Sequence, residues 1–155
     1  MRALIQRVAE GKVMIEGQVH SSIGRGYVIL LGVRKGDTEE DARFLADKCA
    51  MLRVFEDNNG KMNLALRDVG GDVLVISQFT LYADAQRGNR PSFSDAAPPE
   101  EAEPLYTLFV ERMKAALGPA LVHTGIFGAM MQVTIVNDGP VTILMESNKT
   151  NDHRQ

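Results

Sequence analysis

The stretch VLVISQFTLYAD, residues 73–84, begins as a continuous apolar run and becomes polar at Ser77 and Gln78 without an intervening glycine or proline. An uninterrupted apolar run is typical of a strand that is covered on both faces. If the strand continues, Gln78, Thr80 and Tyr82 share one face of the sheet. The pattern predicts a rigid central strand whose polar end is either a satisfied strand terminus or a support for chemistry.

Composition limits the class of protein. A chain of 155 residues is typical of one domain, and 45% hydrophobic with 24% charged residues is typical of a soluble one. The longest apolar runs fall short of the ~20 residues of a membrane helix, and the polar, alternating opening MRALIQRVAEGK does not suit a signal peptide. The single cysteine, Cys49, fits a reducing cytoplasm. The net charge of −3 predicts that any contact with nucleic acid is local.

Strand patterns recur on both sides of the central stretch. The other predicted strands are Met1–Ala9, Lys12–Glu16, Gln18–Ser21, Gly26–Val33, Arg53–Glu56, Ala120–Thr124, Ala129–Asn137 and Val141–Glu146. Gly17 is expected to join one hairpin and Asn59-Gly60 to form a tight turn. The turn Asn137–Pro140 is expected to return the chain as a further hairpin. It offers bare carbonyls at Gly139-Pro140, which suits a site that rejects substrates by shape.

Two helices are predicted. Asp37 is the expected N-cap of the first, with Glu40 three residues later, and Cys49 falls on its apolar face. Pro98-Pro99 with the following acids opens the second, although Pro104 delays its regular part. The expected fold class is α/β, with mixed, barrel-like β-sheets and two main helices packed against them. Residues 1–147 form the single compact domain, and residues 148–155 form a polar C-terminal tail.

The residues that usually carry cofactors are missing from the sequence. His20, His123 and His153 are scattered without metal-ligand spacing. No glycine-rich nucleotide loop and no G-x-S-x-G elbow occurs. We therefore expect neither a metal nor a cofactor. The hydroxyls of Ser77 and Thr80 lack an evident His-Asp partner, so a catalytic triad is not predicted.

Two motifs together resemble the paired signature of the D-aminoacyl-tRNA deacylase family. They are SQFTL at residues 77–81 and NDGPVT at residues 137–142. The resemblance also includes the opening MRALIQRV, GNRPSF at residues 88–93 and GIFGAMM at residues 125–131. It covers nearly the whole chain without a departure at the motif positions.

The resemblance implies an activity and an assembly. It implies hydrolysis of the ester between a D-amino acid and the terminal ribose of tRNA, and removal of mischarged glycine. It also implies a cytoplasmic homodimer with both sites at the subunit interface and the tRNA acceptor end as ligand.

The resemblance further assigns residues to roles. Pocket floor and catalysis fall to Ser77, Gln78, Phe79 and Thr80. Gly139 and Pro140, joined by a cis peptide, reach from one subunit into the site of the other as a chiral filter. Supporting positions are Arg7, which braces the Gly-Pro turn, with Ala129, Met130 and Asn137.

Elementary chemistry is consistent with a filter made of backbone. L- and D-residues differ only in the direction of one side chain, so a rigid wall separates them better than an attractive pocket. A hundredfold preference needs only about 2.7 kcal/mol. Because glycine has no side chain, a filter that acts only by rejection admits it.

Catalysis allows two hypotheses. Thr80 could act as a nucleophile, for which the sequence supplies no convincing base. The preferred hypothesis is that backbone N–H groups around Phe79 and Thr80 stabilise an oxyanion while the ribose 2′-hydroxyl of tRNA assists water.

Substrate binding and competing functions complete the expectations. Arg87, Arg90, Lys61 and Arg67 could contact phosphates of the acceptor end or could simply form solvated loops. A non-catalytic module that binds a metabolite at an oligomer interface is the competing function. A generic small esterase or amidase is a third, disfavoured because neither triad nor metal spacing occurs.

Overall fold

The structure is a computed structural model that describes residues 1–147, so the predicted polar tail 148–155 lies outside the described residues. Within the described part, the strands are β1 (Arg2–Ile15), β2 (Gln18–Ile23), β3 (Gly26–Gly32), β4 (Phe55–Glu56), β5 (Met62–Leu64), β6 (Asp72–Ser77), β7 (Val122–Thr124) and β8 (Gln132–Glu146). The helices are α1 (Glu39–Met51), the short α2 (Leu66–Val69) and α3 (Pro99–Leu117). Two 3-10 turns cover Phe79–Tyr82 and Pro119–Leu121.

The main sheet has six strands and is mixed. β3, β6 and β7 run parallel, whereas β1 is antiparallel to β3, β2 and β8. β2 also lies against β6 and β7, and the Ser21 hydroxyl donates to the Thr124 carbonyl over 2.8 Å. These contacts curl the sheet into a nearly closed, barrel-like shape. The predicted α/β class with two main helices is confirmed, and α2 is a short addition to it.

The central strand β6 is covered on both faces, as its apolar run predicts. Val73 and Val75 belong to the core beneath α1 and α3, whereas Leu74 and Ile76 belong to a second core inside the curled sheet. All four side chains are at most 2% exposed. A strand between two cores has little freedom to move, which makes its end a rigid support.

The strand ends at Ser77, so the condition under which its polar residues would share one face is not met. The Gln78 N–H donates to the Leu31 carbonyl over 2.8 Å, and the chain then coils into the 3-10 turn Phe79–Tyr82. The turn packs closely on Gly32, where an added Cβ would lie 3.0 Å from the Leu81 Cβ and 3.1 Å from the Gln78 carbonyl oxygen. Gln78, Thr80 and Tyr82 therefore do not form one face of a strand.

The hairpin predicted at residues 137–140 is also wrong. β8 is one strand whose two halves both pair with β1, from Arg2 opposite Glu146 to Met14 opposite Gln132. The register passes from Gln6 opposite Thr142 to Val8 opposite Asn137. Residues 138–141 thus bulge out of the strand across from Arg7 alone, a form of β-bulge.

The first predicted strand and the first arm of the predicted hairpin are a single strand, β1. The strand passes through Gly11 because that residue has no side chain. An added Cβ there would lie 2.8 Å from the Val28 side chain and 3.3 Å from the Ile23 side chain. Long β1 therefore reaches both ends of the sheet.

Helix α1 begins one residue later than expected. Thr38 is the N-cap, and its N–H donates to the Asp41 carboxylate over 2.8 Å. The predicted cap, Asp37, instead accepts a hydrogen bond from the Arg34 N–H and forms an ion pair with the α-ammonium of Met1. The Cys49 side chain is fully buried, as predicted.

Other boundaries also differ from the predicted ones. Helix α3 is regular from Pro99, and Pro104 lies inside it because only one N–H is lost near its start. The segment between Lys61 and Gly71 contains β5 and α2, which are too short to give a periodic pattern. Residues 129–131 precede β8, and residues 120–121 belong to the second 3-10 turn.

Candidate active site

A cavity of ≈ 570 Å³ opens where β3 and β6 end. Its lining includes predicted site residues from two separate segments, namely Ser77, Gln78, Phe79, Thr80, Ala129 and Met130. The first four leave the buried end of β6, and the last two belong to the connection that leads into β8. Residues about 50 positions apart in the sequence thus share one cavity.

Aromatic side chains that sequence reasoning did not assign form much of the wall. Phe93, Tyr106 and Phe127 line the cavity, and the rings of Phe79 and Phe93 meet edge to face at 5.1 Å. Burial raises the pKa of Tyr106 to about 12, so its neutral hydroxyl donates to the Val75 carbonyl over 3.0 Å. Phe93 and Phe127 lie in the GNRPSF and GIFGAMM motifs, and membership in these motifs was the sequence signal that could have identified them.

The Thr80 hydroxyl has an amide partner. The Gln78 Nε2 donates to the Thr80 Oγ1 over 2.9 Å. Within residues 1–147, no carboxylate or imidazole is hydrogen-bonded to Thr80. His123 is instead paired with Asp72 at the opposite end of β6, over 2.9 Å. The arrangement orients the hydroxyl without providing a base for it.

Backbone N–H groups at the start of the 3-10 turn are free to bind a ligand. Phe79 and Thr80 are its first two residues, so no carbonyl of the turn can accept from their N–H groups. In the described part of the chain neither N–H has another acceptor. Both residues line the cavity. Donors of this type can stabilise negative charge that develops on a carbonyl oxygen.

Four other predicted residues form a second arrangement, at the bulge of β8. The Arg7 Nε donates to the Asp138 carbonyl over 2.9 Å, and its Nη1 donates to the Val54 carbonyl over 2.7 Å. Arg7 is 7% exposed, whereas Gly139 and Pro140, which are joined by a cis peptide, are exposed. A buried guanidinium therefore holds an exposed piece of backbone through the Asp138 carbonyl.

Asn137 fixes the bulge from its other side. Its Oδ1 accepts from the Val141 N–H over 2.8 Å, and its Nδ2 donates to the Thr142 hydroxyl over 3.0 Å. Gly139 has a φ of 143°, and an added Cβ would lie 2.9 Å from the Val141 nitrogen and 3.2 Å from the Arg7 guanidinium. Position 139 of the bulge therefore has room only for glycine.

The two arrangements are separate within one chain. None of the four residues at the bulge lines the cavity. Arg7 lies opposite Tyr27 in β3, whereas the cavity begins four residues further along β3, at Leu31. That is roughly 13 Å along the strands, with β1 and β3 between β8 and β6 across the sheet.

The model of the family described as D-Tyr-tRNA(Tyr) deacylase matches residues 4–146. The chain belongs to this family. Both arrangements lie within the matched range. A D-aminoacyl-tRNA deacylase from Roseiflexus castenholzii is 60% identical over 147 residues, which cover 95% of this chain and 92% of that protein.

Solved structures similar to this deacylase-family chain support the fold. A structure described as "c-Myc DNA Unwinding Element Binding Protein" is 43% identical, covers 96% of this chain and 100% of its own, and has a TM-score of 0.91. One described as "Structural Analysis of a probable eukaryotic D-amino acid tRNA deacylase" has a TM-score of 0.80 over 94% of this chain and 98% of its own. At 16% identity, the second shows the fold alone.

The four basic residues considered for phosphate contacts do not form one patch in this member of the deacylase family. All four are exposed. Arg87 and Arg90 lie in the connection that leads to Phe93 at the cavity, whereas Lys61 and Arg67 lie on the β4–β5 connection and on α2. Since α2 precedes the start of β6, this second pair lies toward the end of the sheet away from the cavity.

Metal-ligand clusters and membrane-spanning helices are both absent from residues 1–147. These residues contain no group of three or more His, Cys, Asp or Glu side chains placed to hold a metal ion. No helix among them is long and apolar enough to span a membrane.

Proposed function

We propose that this chain is a hydrolase that cleaves the ester bond of D-aminoacyl-tRNA and releases the free D-amino acid and tRNA. The observation that carries the proposal is the match to the deacylase family over residues 4–146, with the SQFTL segment at the cavity. The relative from Roseiflexus castenholzii bears the name of this activity. Charged tRNA is a cytoplasmic substrate, so the protein acts in the cytoplasm.

Catalysis depends on charge stabilisation and positioning. The ester carbonyl oxygen binds the N–H groups of Phe79 and Thr80, and the 2′-hydroxyl of the terminal ribose assists the attacking water. The free N–H groups and the absence of a base beside the Thr80 hydroxyl in residues 1–147 support this mechanism over a threonine nucleophile. Thr80→Ala distinguishes the two, because near-full activity excludes the nucleophile and a hundredfold loss with intact folding contradicts the N–H mechanism.

The complete site requires a homodimer. In one chain the Gly139-Pro140 bulge lies across from the start of β3, roughly 13 Å along the strands from the cavity, so the bulge of a second copy is the group that closes the cavity. Two features support this arrangement. The bulge is exposed, and Met130 at the cavity is 91% exposed, which leaves apolar surface for a partner to cover.

The bulge discriminates by shape. Its backbone carbonyls form a wall where the side chain of an L-residue would leave the α-carbon, so L-esters do not reach the productive position. A D-residue directs its side chain elsewhere, and glycine has none. D-aminoacyl and glycyl esters are therefore hydrolysed and L-esters are retained, which is chiral proofreading.

The acceptor end of tRNA lies across the mouth of the cavity. Arg87 and Arg90 contact its phosphates from the subunit that provides the cavity, because their loop leads to Phe93. Lys61 and Arg67 are remote from this cavity and could contribute only at the site of the other subunit. A few phosphate contacts predict a shallow dependence of binding on salt, and a slope typical of ten contacts would contradict the proposal.

The decisive experiment compares hydrolysis of D-Tyr-tRNA and L-Tyr-tRNA at nanomolar protein. The wild-type chain is expected to deacylate only the D-ester. Gly139→Ala, which forces the bulge to move, is expected to raise L-ester hydrolysis relative to D-ester hydrolysis by about tenfold or more. Gly17→Ala is the matched control, since Gly17 also has a positive φ of 77° but nothing within 4 Å of an added Cβ.

A second candidate is a non-catalytic nucleic-acid-binding module. The 43% identical solved structure is that of a protein named for binding a DNA unwinding element. A folded wild-type chain that hydrolyses neither ester but binds duplex DNA as tightly as charged tRNA would favour this function.

A further inference from the structure

The 3-10 turn Phe79–Tyr82 carries the proposed oxyanion donors, yet it is short and partly exposed. Its start is held by the hydrogen bond from the Gln78 N–H to the Leu31 carbonyl. Its middle rests on Gly32. An exposed turn of four residues needs a further attachment if its N–H groups are to keep a fixed direction.

Arg2 supplies that attachment from another part of the chain. Its Nη1 donates to the Leu81 carbonyl over 2.8 Å, and its guanidinium lies over the Tyr82 ring, 4.5 Å from the centroid. Its Nε donates to the Glu146 carboxylate over 2.9 Å. One planar group thus joins the first residue of β1, the last residue of β8 and the end of the turn. A lysine ammonium cannot make these three contacts in the same geometry.

We propose that Arg2, oriented by Glu146, is a positioning residue for ester hydrolysis. It fixes the C-terminal half of the turn and thereby the N–H groups of Phe79 and Thr80. This inference rests on the proposed function. Arg2 does not line the cavity, so it acts through the turn and not by contact with the substrate. Displacement of reacting groups by ~1 Å can cost about a hundredfold in rate, so loss of the attachment lowers kcat.

Exposure separates this role from a purely structural one. The side chains of Arg2 and Glu146 are 34% and 39% exposed, and exposed ion pairs contribute little to stability. If this ion pair served only stability, substitution of either residue would therefore have little effect on Tm or on kcat. A positioning pair lowers kcat much more than it lowers Tm.

The test compares Arg2→Gln with Arg43→Gln in steady-state hydrolysis of D-Tyr-tRNA. Arg43 forms a 2.7 Å ion pair with Glu39 on α1, also with exposed partners, and has no contact with the turn. Arg2→Gln is expected to lower kcat by about 10- to 100-fold with KM changed less than about twofold. Arg43→Gln keeps the wild-type kcat, and both variants keep a Tm close to that of the wild type.

Two further measurements complete the test. Millimolar methylguanidine should restore part of the kcat of Arg2→Ala, and Glu146→Gln should add little to the loss in Arg2→Gln because both act through one group. A wild-type kcat in Arg2→Gln, or a loss that Arg2→Lys fully repairs, overturns this inference alone. Inactive wild-type protein overturns the proposed function together with this inference.

Discussion

The cavity lies where β3 and β6 end, the bulge of β8 lies across from where β3 begins, and these two ends are built in opposite ways. At the cavity end, β6 stops and the chain coils into a short, partly exposed turn. At the other end, across from the start of β3, the middle of β8 expels four residues as a protruding bulge. Both depart from regular strand pairing, and both are braced by an arginine of β1, Arg2 at the first and Arg7 at the second.

Under the proposed function, this difference means that one chain is incomplete as an enzyme. The cavity is lined by Phe79 and Thr80, the proposed oxyanion donors, whereas the proposed chiral filter is at the bulge. The bulge has rigid backbone but no cavity of its own among the residues that shape it. Because the two regions are separate within one chain, the proposed mechanism makes dimerisation a condition of selectivity.

The largest effect is expected from a change at the cavity end, Gly32→Ala. The added Cβ would press on Leu81 and on the Gln78 carbonyl at about 3 Å, so the turn has to move. Hydrolysis of the D-ester should fall by about 10- to 100-fold, with a stability loss of about 1–3 kcal/mol in urea unfolding. Gly24→Ala is the control, since nothing lies within 4 Å of its added Cβ. Wild-type rates in Gly32→Ala would show that the position of the turn is not important.

Mixed dimers of Gly139→Ala and Gly32→Ala chains test directly whether the cavity and the bulge act in different subunits. Gly139→Ala homodimers should hydrolyse the L-ester, because their cavities are intact and their bulges are displaced. Co-expression with an excess of Gly32→Ala chains should restore selectivity for the D-ester by about tenfold, since each intact cavity then receives an intact bulge from its partner. Selectivity that is independent of the mixing ratio would mean that the bulge acts within its own chain.

The bulge end is expected to be sensitive to Arg7→Lys, with a smaller effect. A single ammonium cannot reach both the Asp138 and Val54 carbonyls along the directions that the guanidinium uses. Loss of one buried, charge-assisted hydrogen bond costs about 1.5–3 kcal/mol. The ratio of D-ester to L-ester hydrolysis should fall several-fold, while kcat for the D-ester changes less. A greater fall in kcat than in selectivity would assign Arg7 to catalysis.

Sequence motifs singled out residues at the cavity and at the bulge but did not show how the chain forms either region. The apolar run Val73–Ile76 correctly indicated a strand between two cores. The end of that strand at Ser77 could not be predicted, because it depends on the end of β3 and on contact with Gly32, which is distant in sequence. The bulge was mistaken for a hairpin turn for a similar reason. Glycine and proline beside an aspartate predict a turn, but they do not show whether the flanking segments pair with each other or with a third strand.

The wall of the cavity also could not be predicted from local sequence patterns. Phe93, Tyr106 and Phe127 come from a loop, a helix and a connection, and only the tertiary fold unites them. Arg2 carried no signal of its own beyond its place in the opening segment. Local patterns thus predicted the elements, whereas the long-range contacts that shape the site required the structure.

The smallest effect is expected where neither end is touched. The Arg112 guanidinium of α3 donates two hydrogen bonds to the Asp47 carboxylate of α1, which hold the pKa of Asp47 below its ordinary value of 3.8. Because the pKa is lower in the folded state, the stabilisation is present above about pH 4 and is lost as the pH falls through the folded-state pKa. Arg112→Gln should therefore lower Tm slightly at pH 7, and by less as the pH falls through the folded-state pKa of Asp47. It should leave both kcat and the ratio of D-ester to L-ester hydrolysis unchanged, because the helix layer only supports the sheet. A change in selectivity in this variant would mean that the two ends communicate through the helices, and the rigid sheet would no longer explain their separation.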